Sequence, residues 1–248
     1  MTETIAVVLG VALLAAAGVL LRHRYWPGSE QEPREDVAEY IAMMVGVLYA
    51  LLLGLSLVSV WDARAGAEEH IQNEASAAHE IYQLADTLPP ADSRRLRDSV
   101  TRYVRHTVRT ELPAMAEGKP PEQEGWRLLH DVRTANQVPP DAEAVEQATV
   151  REVLTQLWSL GDARRGREAD ARESLSPILW FGLLGGGLLT VAFMFMFGIQ
   201  RSATHVVMVM GLTGLITLTV LLVHQLNQPF TGPMAVDASA FDRYFPDA

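Results

Sequence analysis

Cysteine is absent from the chain, which removes disulfide frameworks, thiolate metal sites and cysteine nucleophiles. Lysine occurs once, as Lys119 in a Gly-Lys-Pro-Pro loop, without an apolar pocket to depress its pKa for covalent catalysis. Positive charge is scarce: 20 Lys+Arg stand against 30 Asp+Glu, a net charge of -10. The basic face that nucleic-acid binding needs to displace counterions is missing, so no nucleic-acid partner is expected. There is no glycine-rich phosphate loop after a strand, no nucleophile elbow and no zincin motif, so neither catalysis nor a cofactor is expected.

Charge is also absent locally, from four long runs at residues 5–21, 40–61, 174–200 and 202–226. Each is near or above the ~18–20 apolar residues that a helix needs to cross a bilayer. The expected fold is therefore an all-α integral membrane protein with four transmembrane helices. The first run is preceded only by Glu3 and followed by Arg22, His23 and Arg24, the reverse of a cleaved signal, and reads as a retained anchor. Only a tight turn around Arg201 separates the last two runs, so they are expected to form an antiparallel hairpin.

Residues 62–173 form the polar insert, in which acids outnumber bases, and residues 227–248 form a C-terminal tail. Within the insert Ile71, Ala75, Ala78, Tyr82 and Ala85 recur at spacings of four and three, the stripe of a packed helix. Leu96, Val100, Tyr103 and Thr107 repeat the pattern, as do Val150, Val153, Leu157 and Leu160. Pro89-Pro90, with Asp92 as the expected N-cap, residues 118–121, and Pro139-Pro140 before Asp141 mark the breaks. Only isolated glycines (Gly66, Gly161, Gly166) interrupt the approaches to spans two and three. Both spans are thus expected to extend as long helices into a helical soluble domain, Gly161 and Gly166 being either soft points or tolerated helix residues. Topology signals conflict: Arg22 and Arg24 place the insert outside, whereas Arg164, Arg165, Arg167 and Arg172 before span three favour inside.

Four motifs carry a resemblance. They are Gly46-Val47-Leu48-Tyr49-Ala50-Leu51-Leu52-Leu53-Gly54, Glu80-Ile81-Tyr82-Gln83-Leu84-Ala85-Asp86-Thr87-Leu88-Pro89, Glu111-Leu112-Pro113-Ala114-Met115 and Asn227-Gln228-Pro229-Phe230-Thr231-Gly232. In this order and spacing they resemble the bacterial bestrophin-like domain family, from span two to the tail, with Leu112 where that family commonly has Trp. More distantly the chain is similar to bestrophins, oligomeric anion channels with four spans per subunit and a Pro-Phe motif after the last span, like Pro229-Phe230. The resemblance implies an oligomeric channel with a central pore lined by span two and a helical cytoplasmic domain. Thr231-Gly232-Pro233-Met234 stands where animal bestrophins carry an acidic calcium-binding cluster, so calcium gating is not implied.

Span two carries Gly46, Ala50 and Gly54 at four-residue spacing, and Gly182 and Gly186 give span three a similar seam, suited either to a subunit interface or to packing within one bundle. Tyr49, Ser56 and Ser59 are its hydroxyls, which either replace ion hydration in a pore or bond their own preceding turn. The candidate pore-lining residues are Met44, Leu48, Tyr49, Leu52, Ser56 and Asp62, with Met44, Leu48 and Leu52 as possible dewetting constrictions. Span four offers Thr213, Thr217 and His224 on one face, with His205 near its start; Thr217 and His224 are the gating candidates. Asp62 and Asp237 either line an acidic mouth that concentrates cations or are ordinary surface acids. Arg95, Arg102, Arg105 and Arg109 form a basic stripe expected to pair with acids of neighbouring helices. His70 and Glu74 have metal-ligand spacing without a third ligand, so no metal site is expected.

The expected function is thus an oligomeric ion channel. The acidic charge favours a cation such as potassium and the bestrophin resemblance favours an anion. The partners are a permeant inorganic ion, the lipid bilayer and further copies in a homo-oligomer of four or more, located as a multi-pass protein of the bacterial inner membrane. The competing class is a non-conducting sensor or scaffold whose helical domain binds a partner or ligand.

Overall fold

The computed structural model describes residues 2–25, 35–137, 143–196 and 203–246. Every regular element among them is helical: α1 (Thr2–Tyr25), α2 (Glu35–Leu84), α3 (Pro90–His106), α4 (Leu112–Ala116), α5 (Glu124–Ala135), α6 (Ala144–Asp170), α7 (Pro177–Met196), α8 (Ala203–Leu226) and α9 (Ser239–Tyr244). By length and composition three stretches are able to cross a membrane, Glu39–Thr87, Pro177–Phe195 and Thr204–Leu226, and α1 holds the shorter apolar segment Ala6–Ala15. The expected hairpin turn around Arg201 and the break at Pro139, Pro140 and Asp141 lie outside the described residues.

The chain divides into two compact units, residues 1–61 with 175–227 and residues 62–174 with 228–248. The tail therefore belongs to the unit that contains the polar insert. One uninterrupted helix of 50 residues, α2, supplies segments of both units, as its lack of proline permits. The approach to α7 differs from expectation: α6 stops at Asp170 and α7 starts only at Pro177. Pro177 disfavours helix at the residue before it, and it fits the first turn of the helix it opens. The start of α3 also differs, because the helix begins at Pro90 and Asp92 sits in its first turn rather than before it.

In the first unit α1 packs on α8, and α7 also packs on α8. Ala15 and Val209 are buried together, with Met194, Phe195 and Val206 against them. Helix α2 meets α7 through glycine: a Cβ at Gly186 would lie 2.6 Å from the Tyr49 ring, and one at Gly182 would lie 3.1 Å from Leu52. A larger residue at position 186 would push the two helices apart, the close approach that small-residue seams exist to allow.

In the second unit the apolar stripes converge. Ile71, Ala75, Ala78 and Ile81 of α2, and Ala85 just after it, pack with Leu96, Val100 and Tyr103 of α3 and with Val153, Leu157 and Leu160 of α6. Burial of this kind contributes roughly 1.5–3 kcal/mol for each large side chain fully removed from water. The tail adds Phe230 and Phe241 to the same core. Tyr244 stacks on His79 with ring centroids 4.7 Å apart.

Candidate functional site

Helix α2 presents two different faces in the first unit. Tyr49 is buried, 6% exposed, and Ser56 is buried and donates to its own Leu52 carbonyl at 2.8 Å. Leu52 is half-buried against Gly182. Met44 and Leu48 are each 64% exposed, with Val47, Leu51, Leu55 and Val58 exposed alongside. Asp62, which opens the second unit's share of α2, is exposed. The six expected lining residues thus do not share one face: Tyr49 and Ser56 point into the single chain, and Met44 and Leu48 point out of it. No atom of the described residues lies within 4 Å of where a Cβ would stand on Gly46 or Gly54, so among them these two glycines of the α2 seam have no close neighbour.

In α8, Thr217 donates to the Thr213 carbonyl at 2.8 Å. The Thr213 hydroxyl is buried without a partner among the described residues. His224 is exposed and lies edge-on to Trp180, 5.7 Å between centroids. His205 lines an apolar cavity with Glu39, Phe193 and Met208.

The second unit holds a charged cluster that the motif reading did not assemble. Its key is a π-helical turn, Thr107–Glu111, between α3 and α4. The extra residue in that turn shifts the register, and such bulges are common at functional sites. It delivers Glu111 into the core at 1% exposure. Arg164 of α6 grips Glu111 with both terminal nitrogens, at 2.8 and 2.6 Å. One turn on, Arg167 donates to Glu74 of α2 at 2.6 and 3.0 Å and to Glu111 at 2.9 Å. Tyr103 donates its hydroxyl to Glu74. Both guanidiniums are 0% exposed.

Glu74, Glu111, Arg164 and Arg167 are held by charge-assisted hydrogen bonds, and a third carboxylate, Glu168, lies 3.1 Å from Arg164 Nε at 17% exposure. Burial alone would push the Glu111 carboxyl up, but Arg164 and Arg167 outweigh it and hold it below the usual glutamate range. Burial and the Glu74 carboxylate keep the Tyr103 hydroxyl protonated. Helix α5 comes close enough to cover the cluster because residue 125 is glycine: a Cβ there would stand 2.2 Å from an Arg164 nitrogen and 2.3 Å from a Glu111 oxygen.

The expected metal spacing of His70 and Glu74 resolves differently. His70 pairs with Asp170 at 2.7 Å across Gly166, whereas Glu74 belongs to Arg167. Among the described residues no group of three or more His, Asp or Glu side chains is arranged to hold a metal ion. Arg95, expected to reach a neighbouring helix's acid, pairs with Asp92 on its own helix. Asp237 accepts from the Ser239 amide at 3.0 Å, and Ser239 holds its carboxyl below the usual range.

The sequence signal for the buried cluster was present. Val153, Leu157, Leu160, Arg164 and Arg167 continue one stripe at spacings of four and three, and Glu74 falls on the stripe of Ile71 and Ala78. Charged residues in register with an apolar stripe are either errors of periodicity or members of a buried pair.

A family model described as Bestrophin-like domain matches residues 9–241. No curated protein and no solved structure matches the chain.

Proposed function

The chain belongs to the bestrophin-like domain family, and from that premise we propose that it is an oligomeric ion channel whose pore is lined by α2 from each of several copies. The apolar helices and the family together mark an integral membrane protein. We read α1, α2, α7 and α8 as four spans of a multi-pass protein in the bacterial inner membrane.

The observation that carries the reading is the two-faced character of α2. One face is taken up by α7 through Tyr49, Leu52 and the glycines, and the arc of Met44, Leu48, Leu51 and Leu55 is uncovered. A single subunit with so few polar side chains cannot line a wet path, whereas repeated copies of this arc enclose one. Closed cyclic symmetry supplies the repetition, and four or more copies make the ring. Bulky Met44 and Leu48 then act as apolar constrictions that gate by dewetting. Asp62 is the exposed acid nearest the end of the arc, and with the acidic insert it favours cations at the mouth.

Planar-bilayer recording of purified protein under a potassium chloride gradient tests this. A defined reversal potential is expected, displaced toward the chloride potential in Asp62→Asn. Absence of current across pH and voltage, or a monomer in detergent, would defeat the channel reading.

A further inference from the structure

Two of the motifs that make this sequence distinctive, remote from each other along the chain, line one cavity in the second unit. Met115, the last residue of Glu111-Leu112-Pro113-Ala114-Met115, and Gln228 to Thr231 of the post-α8 motif surround a space of about 200 Å³, several times the ~30 Å³ share of a liquid water molecule. The remaining wall comes from the Gly118 to Pro121 loop and from Ala171 and Arg172.

The lining is one-sided in its chemistry. It contains the chain's single lysine, Lys119, and Arg172, and no carboxylate. In a chain of net charge -10 two cations without a lining acid are the exception. Lys119 pairs at 2.5 Å with Glu117, which points from outside the cavity lining, and both side chains are largely exposed. The Arg172 guanidinium makes no hydrogen bond or ion pair among the described residues. Thr231 donates to the Gln228 side-chain oxygen at 2.9 Å, which leaves the Gln228 amide nitrogen with its two donor hydrogens. Met115, Gly118, Ala171, the prolines and Phe230 supply the rest of the surface and offer no competing side-chain oxygen.

The site is also held in shape. Gly118 adopts φ +75°, a left-handed turn that glycine takes without strain. The Lys119 amide is tied back to the Ala114 carbonyl at 2.9 Å. Pro229 and Phe230 are buried.

From this donor-rich, acceptor-poor lining we propose that the cavity binds a phosphate group. Arginine's fork and lysine's ammonium are suited to a multi-oxygen anion rather than to a spherical one. Two sources present that chemistry: inorganic phosphate, or the headgroup of an anionic phospholipid. The covalent chain keeps the second within reach, because Arg172 is five residues before Pro177 of α7 and Gln228 is two residues after Leu226 of α8. At full extension these lengths span about 18 Å and about 7 Å. Occupancy is relayed inward as well: Met115, part of the wall, is the residue whose sulfur receives Arg167 Nη1 at 3.1 Å. The bound anion thereby braces the same Arg167 that grips Glu74 on α2.

The test is thermal unfolding of the delipidated full-length chain in neutral detergent, titrated with sodium phosphate at constant ionic strength. A second arm adds phosphatidylglycerol, with phosphatidylcholine as its control. At a hundredfold excess over Kd the midpoint is expected to rise by about 5–10 °C, and the double variant Lys119→Gln/Arg172→Gln is expected to lose the rise. Arg94→Gln, on the exposed side of α3, should keep it. A saturable rise with phosphate assigns the site to the free ion, and a rise with phosphatidylglycerol alone assigns it to the headgroup. The proposal is overturned if neither ligand gives a saturable rise, or if the double variant responds as the parent does. Should the double variant fail to fold, Lys119→Gln alone, on an exposed loop, must weaken binding about tenfold while Lys119→Arg preserves it. No current is recorded in this experiment, so its outcome is independent of conduction.

Discussion

In the second unit two guanidiniums and two carboxylates leave water together and bond to one another, with Tyr103 donating to Glu74 and the partly exposed Glu168 beside Arg164. Among the described residues of the first unit the buried and half-buried hydroxyls are satisfied locally or not at all. Ser56, Thr190 and Thr217 each donate to the carbonyl four residues back on their own helix, whereas Tyr49 and Thr213 keep buried hydroxyls without a partner. The difference follows from what each environment penalises. Burying a charge is tolerable only where an opposite charge is fixed against it, and the helices of the second unit hold their pairs in a closed core. Hydroxyls are cheap enough to bury singly, and the serines and threonines find an acceptor without leaving their own turn.

The largest effect should come from unbalancing the charged cluster. Arg164→Met leaves the Glu111 carboxylate without its bidentate partner and should cost about 3–5 kcal/mol, read as a fall in the urea or thermal midpoint. Adding Glu111→Leu to it leaves Arg167 matched by Glu74, with only the partly exposed Glu168 losing a partner, and should recover much of that loss. If the double variant is no more stable than the single one, the cluster owes its stability to side-chain volume rather than to charge pairing.

Packing at glycine offers a matched pair of tests, one in each unit. Gly125→Ala drives a methyl group into Arg164 and Glu111, and Gly186→Ala drives one into the Tyr49 ring. Each should cost about 1–3 kcal/mol. Gly54→Ala meets open space within one copy and should leave a detergent-dispersed single subunit unaffected. A loss of the oligomer in that variant, seen by light scattering, would place the α2 seam at a subunit contact.

Acid sharpens the contrast again. Because Glu111 is held below its ordinary value in the folded chain, its contribution is complete above the unfolded glutamate value of about pH 4.3. It is lost as pH falls from there through the depressed folded value. Arg164→Met, with the stabilising partner removed, should show a weaker acid dependence.

How much of this was legible beforehand differs by region. The apolar runs and the stripes of Ile71, Leu96 and Leu157 declared their helices, because burial imposes a period that composition cannot hide. The cluster escaped for two physical reasons. Arg164 and Arg167 lie just before an apolar run, where sequence position alone marks them as flanking charges that orient a span, yet both are paired in the core. Glu111 is brought inward by a π-helical turn, an insertion of one residue that a regular 3.6-residue period does not anticipate. The break between α6 and α7 has a simpler cause: scarce glycine favours a continuous helix, but Pro177 disfavours helix at the residue before it and opens a new one. On α2, sequence named Tyr49, Ser56, Met44 and Leu48 as one group, and only packing against α7 divides them into an inner and an outer face.

The smallest predicted effect separates the two ways of burying a polar group most finely. The Tyr49 hydroxyl is buried and unpartnered beside the glycines of α7, 2.9 Å from where a Cβ of Gly187 would be. Tyr49→Phe removes one oxygen, keeps the ring in its slot and leaves no acceptor unsatisfied. An unpaired buried hydroxyl contributes nothing to offset its desolvation, so the variant should be neutral or more stable by up to about 1 kcal/mol. Tyr103→Phe should go the other way, because it takes a donor from the buried Glu74 carboxylate. If Tyr49→Phe instead destabilises the assembled protein while leaving the single subunit unchanged, the hydroxyl has a partner on a neighbouring copy, and the inner face of α2 takes part in the ring after all.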